Sequence, residues 1–338
     1  MMNNQLNLVP RNEPEIDVGA LKEGLINLTG KRVLFRSDYK KEAISLQGIE
    51  TQELRLPYEI RNFSTQPRER TVIGIDSSCV LIGETEEGSI FAGRVTTVIA
   101  RGSKIARYQR AGPFIFYFSQ KMVDSEISGG LARRTLNAVV ADNSLAERFI
   151  RIRLERAAQI HAARTNTDAV ILVDGSIRAS MLESPTFSLK KFEREAEDNF
   201  NQILGVTKTS SIKLIAMTAA GLSSAKKPST YCDLTDSLRL LGVGTSARIL
   251  VARFSQSSQV FRVDASSANA EHESQVLADV KFNDVLFRGY PETLRLAHHL
   301  SVFDSATVSS IRGYLSKKYG LVQIPSDDLR ATILGKFV

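Results

Sequence analysis

Several residue patterns that define common protein classes are missing from this sequence of 338 residues. It has only two cysteines, Cys79 and Cys232, and neither lies in a Cys-x-x-Cys or Cys/His ligand spacing, so no disulfide framework or zinc site is indicated. No apolar run reaches the roughly 18 residues of a membrane span. The N-terminal stretch lacks the basic and apolar regions of a secretory signal. We therefore expect a protein of the reducing cytoplasm that has no membrane partner.

Nucleotide-binding and repeat signatures are also scarce. The sequence has no P-loop, and "GVGTS" is its only faint candidate for a Gly-rich nucleotide-binding segment. No repeat of fixed period and no coiled-coil or Gln/Asn bias is visible. Neither a P-loop NTPase nor a repeat array is therefore indicated.

The composition instead fits a globular protein with an acidic partner. Hydrophobic residues make up 43% of the chain, which is enough for a sizeable core without disulfides. The formal net charge is +7, and nucleic acid is the commonest partner of a basic protein. The basic residues recur in "RERTV", "RGSKIARYQR", "LARR" and "RFIRIRLER", so we expect a folded basic face and not a basic tail.

Hydrophobic periodicity divides the chain into an N-terminal extension, residues 1–65, and a main domain, residues 66–338. The extension contains a helical pattern, "VGALKEGLINL", and a short strand, "RVLFRS"; the polar "RNFSTQPRER" joins it to the body. Three dense β segments follow from Thr71, and one or two helices lie between Ser128 and Ala163. The remaining elements are read as a strand "DAVILVDGS", a helix "LKKFEREAEDNFNQIL", a strand "SIKLIAMTA", a helix "DLTDSLRLL", strands at "ARILVARF", "QVFRVDA" and "VLFRG", a helix "PETLRLAHHLSVF" and a last helix from Ser305 to Lys318.

Two apolar strands of the main domain share an unusual feature, since each runs into a carboxylate. These are "TVIGIDSS", with Asp76, and "AVILVDGS", with Asp174. A meander followed by alternating helices and strands predicts a mixed sheet with helices on both faces, in which the fourth strand lies beside the first. The two acids would then be neighbours, and a divalent cation is the simplest way to keep both ionised. The alternative is that each Asp only begins a turn.

Further candidate ligands lie on two predicted helices. Glu155 is an acid in an otherwise basic helix, with Glu147 as the alternative; a surface ion pair of either with Arg151 is the simpler explanation. Near the C-terminus, adjacent His298 and His299 follow Tyr290 on "GYPETLRLAHHL", and neighbours on a helix point about 100° apart, so only one of them can face a site. Both histidines could equally be surface or packing residues.

Taken in order, "IDSS", "LVDGS" after a helix that carries a Glu, "GVTKTS" and "GYPETLRLAHHL" resemble the motifs of the NurA family of nucleases. The similarity runs from about Leu56 to the C-terminus. It implies an α/β, ribonuclease-H-like fold: a mixed five-stranded sheet flanked by helices, with additional N-terminal and C-terminal elements. It also implies a homodimer that degrades DNA with one or two Mn²⁺ or Mg²⁺ ions and processes DNA ends with a hexameric HerA-type translocase.

The resemblance also assigns roles to individual residues. It implies that Asp76, Glu155, Asp174 and His298 are metal ligands, with His298 as a ligand or a proton-transfer group and with the choice of Glu155 over Glu147 left open. Tyr290 would orient the phosphate or the attacking water, and Lys208 would neutralise a phosphate oxygen. The sequence departs from the family pattern in having "DSS" in the first motif, where many relatives have Asp-Gly-Ser, and Thr207 before the lysine.

The predicted function is therefore a Mn²⁺- or Mg²⁺-dependent deoxyribonuclease of DNA repair, a 5′-3′ exonuclease with a single-strand endonuclease activity. The basic stretches would contact the DNA backbone without reading bases. Two alternatives remain open at this point: an ATPase or kinase of the actin-like class, and a catalytically inactive DNA-binding subunit.

Overall fold

The computed structural model describes residues 30, 32–34, 59–125, 131–183, 185–208, 210, 212–223, 227–242, 246–255, 259–269 and 271–323. Within these residues the strands are β1 (Arg32–Leu34), β2 (Arg61–Asn62), β3 (Val72–Thr85), β4 (Gly88–Arg101), β5 (Lys104–Ser119), β6 (Val170–Asp174), β7 (Gln202–Thr207), β8 (Thr230–Asp233), β9 (Arg248–Arg253), β10 (Val260–Ala265), β11 (Leu286–Phe287), β12 (Tyr290–Pro291) and β13 (Val322–Gln323). The α-helices are α1 (Gln120–Ser125), α2 (Leu131–Ala141), α3 (Asn143–Thr165), α4 (Leu189–Asp198), α5 (Lys213–Ser223), α6 (Thr235–Leu240), α7 (Glu273–Asn283), α8 (Glu292–Ser301) and α9 (Ser305–Tyr319).

Five strands form the centre of the sheet, in the spatial order β5, β4, β3, β6 and β7. The first three strands of this group are antiparallel to one another, while β6 is parallel to β3 and β7 is parallel to β6. A meander followed by two parallel crossover strands on the other side of the first strand is the ribonuclease-H-like order. The predicted fold class is therefore confirmed, including the placement of the fourth strand beside the first.

The sheet extends beyond this central group. At its β7 edge, β10, β9, β8 and β2 follow in an antiparallel series. Past the end of β6, β1 pairs with the end of β3 on the edge opposite β4, and β13 pairs with β1. The predicted strand "RVLFRS" is thus present as β1, whereas the predicted helix "VGALKEGLINL" lies outside the described residues. The domain division at residue 65 stays a prediction, although β1 and β2 both join the main sheet.

Two cores cover the opposite faces of the central strands, because alternate residues of each strand point to opposite sides. Ile73, Ile75 and Ile171 point to the face that is covered by α3 and α4. Val72 and Leu172 point to the face that is covered by α7 and α8. No helix among the described residues is long and apolar enough to cross a membrane.

Several predicted elements differ from the structure. The described residues 131–163 contain two helices, because Asp142 accepts hydrogen bonds from the first backbone amides of α3 and begins a new helix there. Residues 213–219 of the segment "SIKLIAMTA" are not a strand but lie in helix α5, and the strand is the preceding "QILGVT" of β7. Short apolar runs do not distinguish a buried strand from a buried helix. Strand β8 and helix α7 were not predicted.

The predicted helix "LKKFEREAEDNFNQIL" also ends earlier than expected, at Asp198. Phe200 takes a left-handed backbone conformation, and the buried Asn201 side chain bonds the backbone of Ala169, Ala163 and Asn166. These long-range bonds stop the helix and start β7, and they leave no local signal in the sequence.

Gly74 of β3 allows α8 to lie directly on the sheet. A Cβ atom at this position would lie 2.5 Å from the carbonyl carbon of Thr293 and 2.7 Å from the backbone nitrogen of Leu294. Backbone atoms of a helix cannot move aside as a flexible side chain can. The missing side chain therefore sets the distance between β3 and the N-terminal turn of α8.

We expect Gly74→Ala to lower the free energy of unfolding by about 2 kcal/mol, because the added methyl group overpacks this contact. Urea denaturation followed by circular dichroism measures the change. The matched control is Gly313→Ala in α9, where nothing lies within 4 Å of the added methyl group and alanine should be neutral or stabilising. Equal stability of Gly74→Ala and the wild type would contradict the close approach.

Candidate metal centre

Asp76 and Asp174 lie side by side on neighbouring strands. The parallel pairing of β3 with β6 matches Ile75 with Val173, and the next residue of each strand is one of the two acids. Both side chains therefore point to the face that carries α8. Asp174 is the last residue of β6, as the sequence predicted, but Asp76 is inside β3, which continues to Thr85. The expectation that β3 ends at its carboxylate is wrong, because pairing with β4 carries the strand onward.

His298 joins the two acids from α8. Its Nδ1 atom lies 2.7 Å from Oδ2 of Asp76, and its side chain is 49% exposed. An ionised Asp76 only accepts hydrogen bonds, so with that carboxylate charged the Nδ1 atom donates and Nε2 is available to bind a cation. His299 contacts the His298 ring edge-on and is exposed. As predicted from the helical spacing, only one of the two histidines faces the acids.

The donor set of Asp76, Asp174 and His298 fits a divalent cation. One ligand atom from each residue lies within 4.8 Å of the others. Burial and the neighbouring carboxylate of Asp174 raise the pKa of Asp76, and the contact with His298 opposes this rise. Two neighbouring carboxylates repel each other when both are charged. A cation bound between them and the imidazole would relieve this repulsion. Oxygen and imidazole ligands together suit Mn²⁺, and the carboxylates suit Mg²⁺ as well.

Lys208 and Tyr290 both bind Asp174. Lys208 Nζ donates to Oδ2 at 2.9 Å, and the Tyr290 hydroxyl donates to Oδ1 at 3.1 Å. The lysine also lies 5.0 Å from the centre of the tyrosine ring. Burial, followed by the charge of Asp174, raises the pKa of Tyr290, so the phenol keeps its hydrogen and remains a donor. The sequence therefore identified two residues that the fold does bring to this site.

Glu155 approaches from the opposite face of the sheet, on α3. Its Oε1 atom accepts a hydrogen bond from Ser77 at 2.7 Å and lies 3.5 Å from the Arg151 guanidinium. It is not part of the compact group of Asp76, Asp174 and His298. Burial raises its pKa to about 7, against the opposing effect of Arg151, and Asp76 adds to the rise. Burial and then the charge of Glu147, the alternative acid, raise the pKa of the Cys79 thiol, which lies three residues further along β3 than Asp76. Of the two acids, Glu155 is thus the one beside the centre.

Two residues of this site were not predicted as site residues. Ser77 positions Glu155, and Arg151 lies 3.5 Å from Glu155 and 3.8 Å from Oδ1 of Asp76. Ser77 directly follows Asp76, and Arg151 is four residues before Glu155. That helical spacing predicts the ion pair between Arg151 and Glu155. Nothing in the sequence predicts that the same arginine also reaches Asp76 across the sheet.

Comparison with solved structures gives several similar folds. The NurA nuclease from Sulfolobus solfataricus has a TM-score of 0.46 and 14% identity, with 77% of this chain and 87% of that chain covered. A structure of NurA bound to dAMP and manganese has a TM-score of 0.42 and 9% identity, with 72% of this chain and 87% of that chain covered. The catalytic domain of human endonuclease V has a TM-score of 0.35 and 16% identity, with 75% of this chain and 85% of that chain covered.

No protein-family model and no curated protein sequence matches this chain. Several of the similar structures are NurA nucleases, all with TM-scores below 0.5. The fold assignment rests on the strand order of this chain. The identities are low, and the chemistry of this chain rests on its own residues.

The raised pKa of Glu155 predicts a pH-dependent stability in the absence of metal. An acid whose pKa is about 7 in the folded protein and near 4.5 in the unfolded chain stabilises the fold at pH 5, and this contribution is lost as the pH rises through 7. Glu155→Gln cannot ionise, so in EDTA it should match the wild type at pH 5 and exceed it by about 2 kcal/mol at pH 8. The partial exposure of the side chain keeps this value below the full effect of the shift.

Urea unfolding at both pH values in EDTA measures the difference between the two proteins. Glu197→Gln, an exposed acid on α4, is the control and should show no such pH-dependent gain. A constant difference between Glu155→Gln and the wild type at both pH values would contradict the raised pKa.

Proposed function

We propose that this protein is a nuclease that hydrolyses phosphodiester bonds in DNA with one or two divalent cations, Mn²⁺ or Mg²⁺. The observation that carries the proposal is the group formed by Asp76, Asp174 and His298, whose ligand atoms lie within 4.8 Å of one another beside Lys208 and Tyr290. A cation bound there would polarise the scissile phosphate and lower the pKa of a water molecule. The oxygen and imidazole donors match the ions that serve in phosphoryl transfer.

The residues around the acids have separable roles in this reaction. Asp76, Asp174 and His298 would hold the cation, and Glu155 would add a negative charge beside it from the other face of the sheet. Lys208 is half exposed beside Asp174 and supplies positive charge to a non-bridging phosphate oxygen. Tyr290 keeps its hydrogen and orients Asp174 or the phosphate by donating a hydrogen bond. His298 has a free Nε2 atom that can accept a proton from water or return one to the leaving group.

A basic strand surface supports DNA as the substrate. Arg101, Lys104, Arg107 and Arg110 are all exposed along the end of β4 and the first half of β5. Contacts from such residues to phosphates give affinity without base sequence preference. We expect binding to weaken steeply with salt and to vary little with DNA sequence.

The finer assignments follow from the family resemblance of the motifs and are part of the proposal. They are 5′-3′ exonuclease activity with single-strand endonuclease activity, action in DNA-end resection and repair in the cytoplasm, and partnership with a HerA-type hexameric translocase. They also include a homodimer in which residues 1–65 contribute to dimerisation and residues 66–338 form the nuclease domain.

Asp76→Asn and Asp174→Asn should each lower Mn²⁺-dependent DNA degradation by about 10³-fold or more, because each removes a charged ligand worth several kcal/mol in the transition state. End-labelled DNA incubated with Mn²⁺, Mg²⁺ or EDTA measures the rate, with an RNA strand of the same sequence as a second substrate. Asp198→Asn, an exposed acid at the end of α4, should keep the wild-type rate. Wild-type rates in either site variant, or no metal-dependent cleavage by the wild type, would sink the proposal.

Lys208→Met should reduce kcat by about 10- to 100-fold and leave metal binding intact, because the lysine supplies charge and is not a ligand. Mn²⁺ titration of the melting temperature measures metal binding separately from turnover. Lys227→Met, an exposed lysine between α5 and β8, is the control for loss of a positive charge. A loss of turnover as large as that of Asp174→Asn would indicate that Lys208 does more than neutralise charge.

A further inference from the structure

A cavity of about 220 Å³ lies next to the metal centre, on the face of the sheet that carries Glu155. It is formed between α3 and the segment 176–183, which follows β6. Asp174 and Glu155 line the side nearest the centre, and the remaining polar lining includes Arg148, Arg156, Gln159 and Arg178. The cavity and the metal centre therefore share Asp174, and Glu155 lies between them.

Two arginines leave the cavity with uncompensated positive charge. Arg156 is neutralised by Glu183 at 2.7 Å, Asp174 by Lys208 and Glu155 by Arg151. Arg148 and Arg178 are exposed, and neither has an ion-pair partner within the described part of the chain. Burial raises the pKa of Asp264, and the charge of Arg178 opposes this rise. Asp264 already accepts two hydrogen bonds from Arg262, however, so it is paired with that arginine. Two positive charges thus remain for a ligand.

A buried donor in the cavity wall points to an acceptor-rich ligand. Gln159 is 2% exposed, and its Oε1 atom accepts a bond from Arg156 at 2.6 Å. The Nε atom of the buried Arg156 is unpaired among the described residues. Leaving a buried donor unpaired is costly, so this wall favours a ligand that is rich in oxygen acceptors.

We propose that this cavity binds the terminal phosphate of a DNA strand whose neighbouring phosphodiester lies at the metal centre. A terminal phosphate carries about −1.5 to −2 at pH 7, which matches two free arginines better than the single charge of an internal phosphate. The volume of about 220 Å³ lies below the roughly 300 to 1,000 Å³ of pockets for drug-sized ligands, which suits the end of a strand and not a run of nucleotides. The identity of the substrate in this inference rests on the proposed nuclease function.

Binding without cleavage tests the proposal directly. Three internally labelled DNA strands of one sequence carry a 5′-phosphate, a 3′-phosphate or hydroxyls at both ends, and fluorescence anisotropy in EDTA gives each Kd. The wild type should bind one phosphorylated end about tenfold more tightly than the hydroxyl ends, the gain of one charge-assisted contact. The double variant Arg148→Gln/Arg178→Gln should bind all three strands with the Kd of the hydroxyl strand.

The matched control is Arg239→Gln, an exposed arginine on α6, which should keep the preference of the wild type. Equal binding of the three strands by the wild type, or a preference that survives in the double variant, would overturn the pocket. An end preference in a protein that never cleaves DNA would instead sink the nuclease proposal and leave the phosphate pocket standing. Metal-dependent cleavage by a protein without an end preference would overturn the phosphate pocket and leave the nuclease proposal standing.

Discussion

The parallel pairing of β3 with β6 places the carboxylates of Asp76 and Asp174 beside each other. The repulsion between these two charges explains why polar and basic side chains surround them. At the 4.8 Å limit of the ligand atoms, two unit charges in an effective dielectric constant of about 20 repel by about 3.5 kcal/mol. Each acid has its own compensation: Asp174 binds Lys208 and Tyr290, and Asp76 contacts His298 and Arg151. Because no single group among the described residues neutralises both acids, the space between them remains suited to a cation.

The register of that pairing is fixed away from the site. Arg70 is buried two residues before β3 begins. It pairs with Asp168, which lies just before β6, with Glu271 beside α7 and with Asp279 within α7. Breaking one partner of such a buried network is costly, since it leaves an unpaired charge. The network therefore fixes the register between the first residues of β3 and β6. The two acids lie a few residues further along their strands and stay adjacent in this register. Gly74 then sets how closely α8 brings His298 to Asp76.

The sequence predicted those parts of the site that local pattern and motif order determine. Continuous apolar runs predicted β3 and β6, and the order of elements predicted that Asp76 and Asp174 meet. The same reasoning failed at β7 and α5, because buried apolar segments of either type look alike and the deciding bonds of Asn201 come from distant backbone. It also could not show that Glu155 and the acid pair occupy opposite faces, or that Arg151 serves both, because these depend on how α3 packs.

The different lengths of β3 and β6 explain how one substrate could reach both faces. Strand β6 ends at Asp174, while β3 continues for nine residues beyond Asp76, to Thr85. The sheet therefore has a notch beside Asp76, past the end of β6. At this notch a substrate can contact the acid pair and His298 from one face of the sheet. From the other face it can contact Glu155 and the arginine-lined cavity. A strand end bound in the cavity would have its next phosphodiester at the notch, so the cavity would act as a stop that sets where the strand is cut.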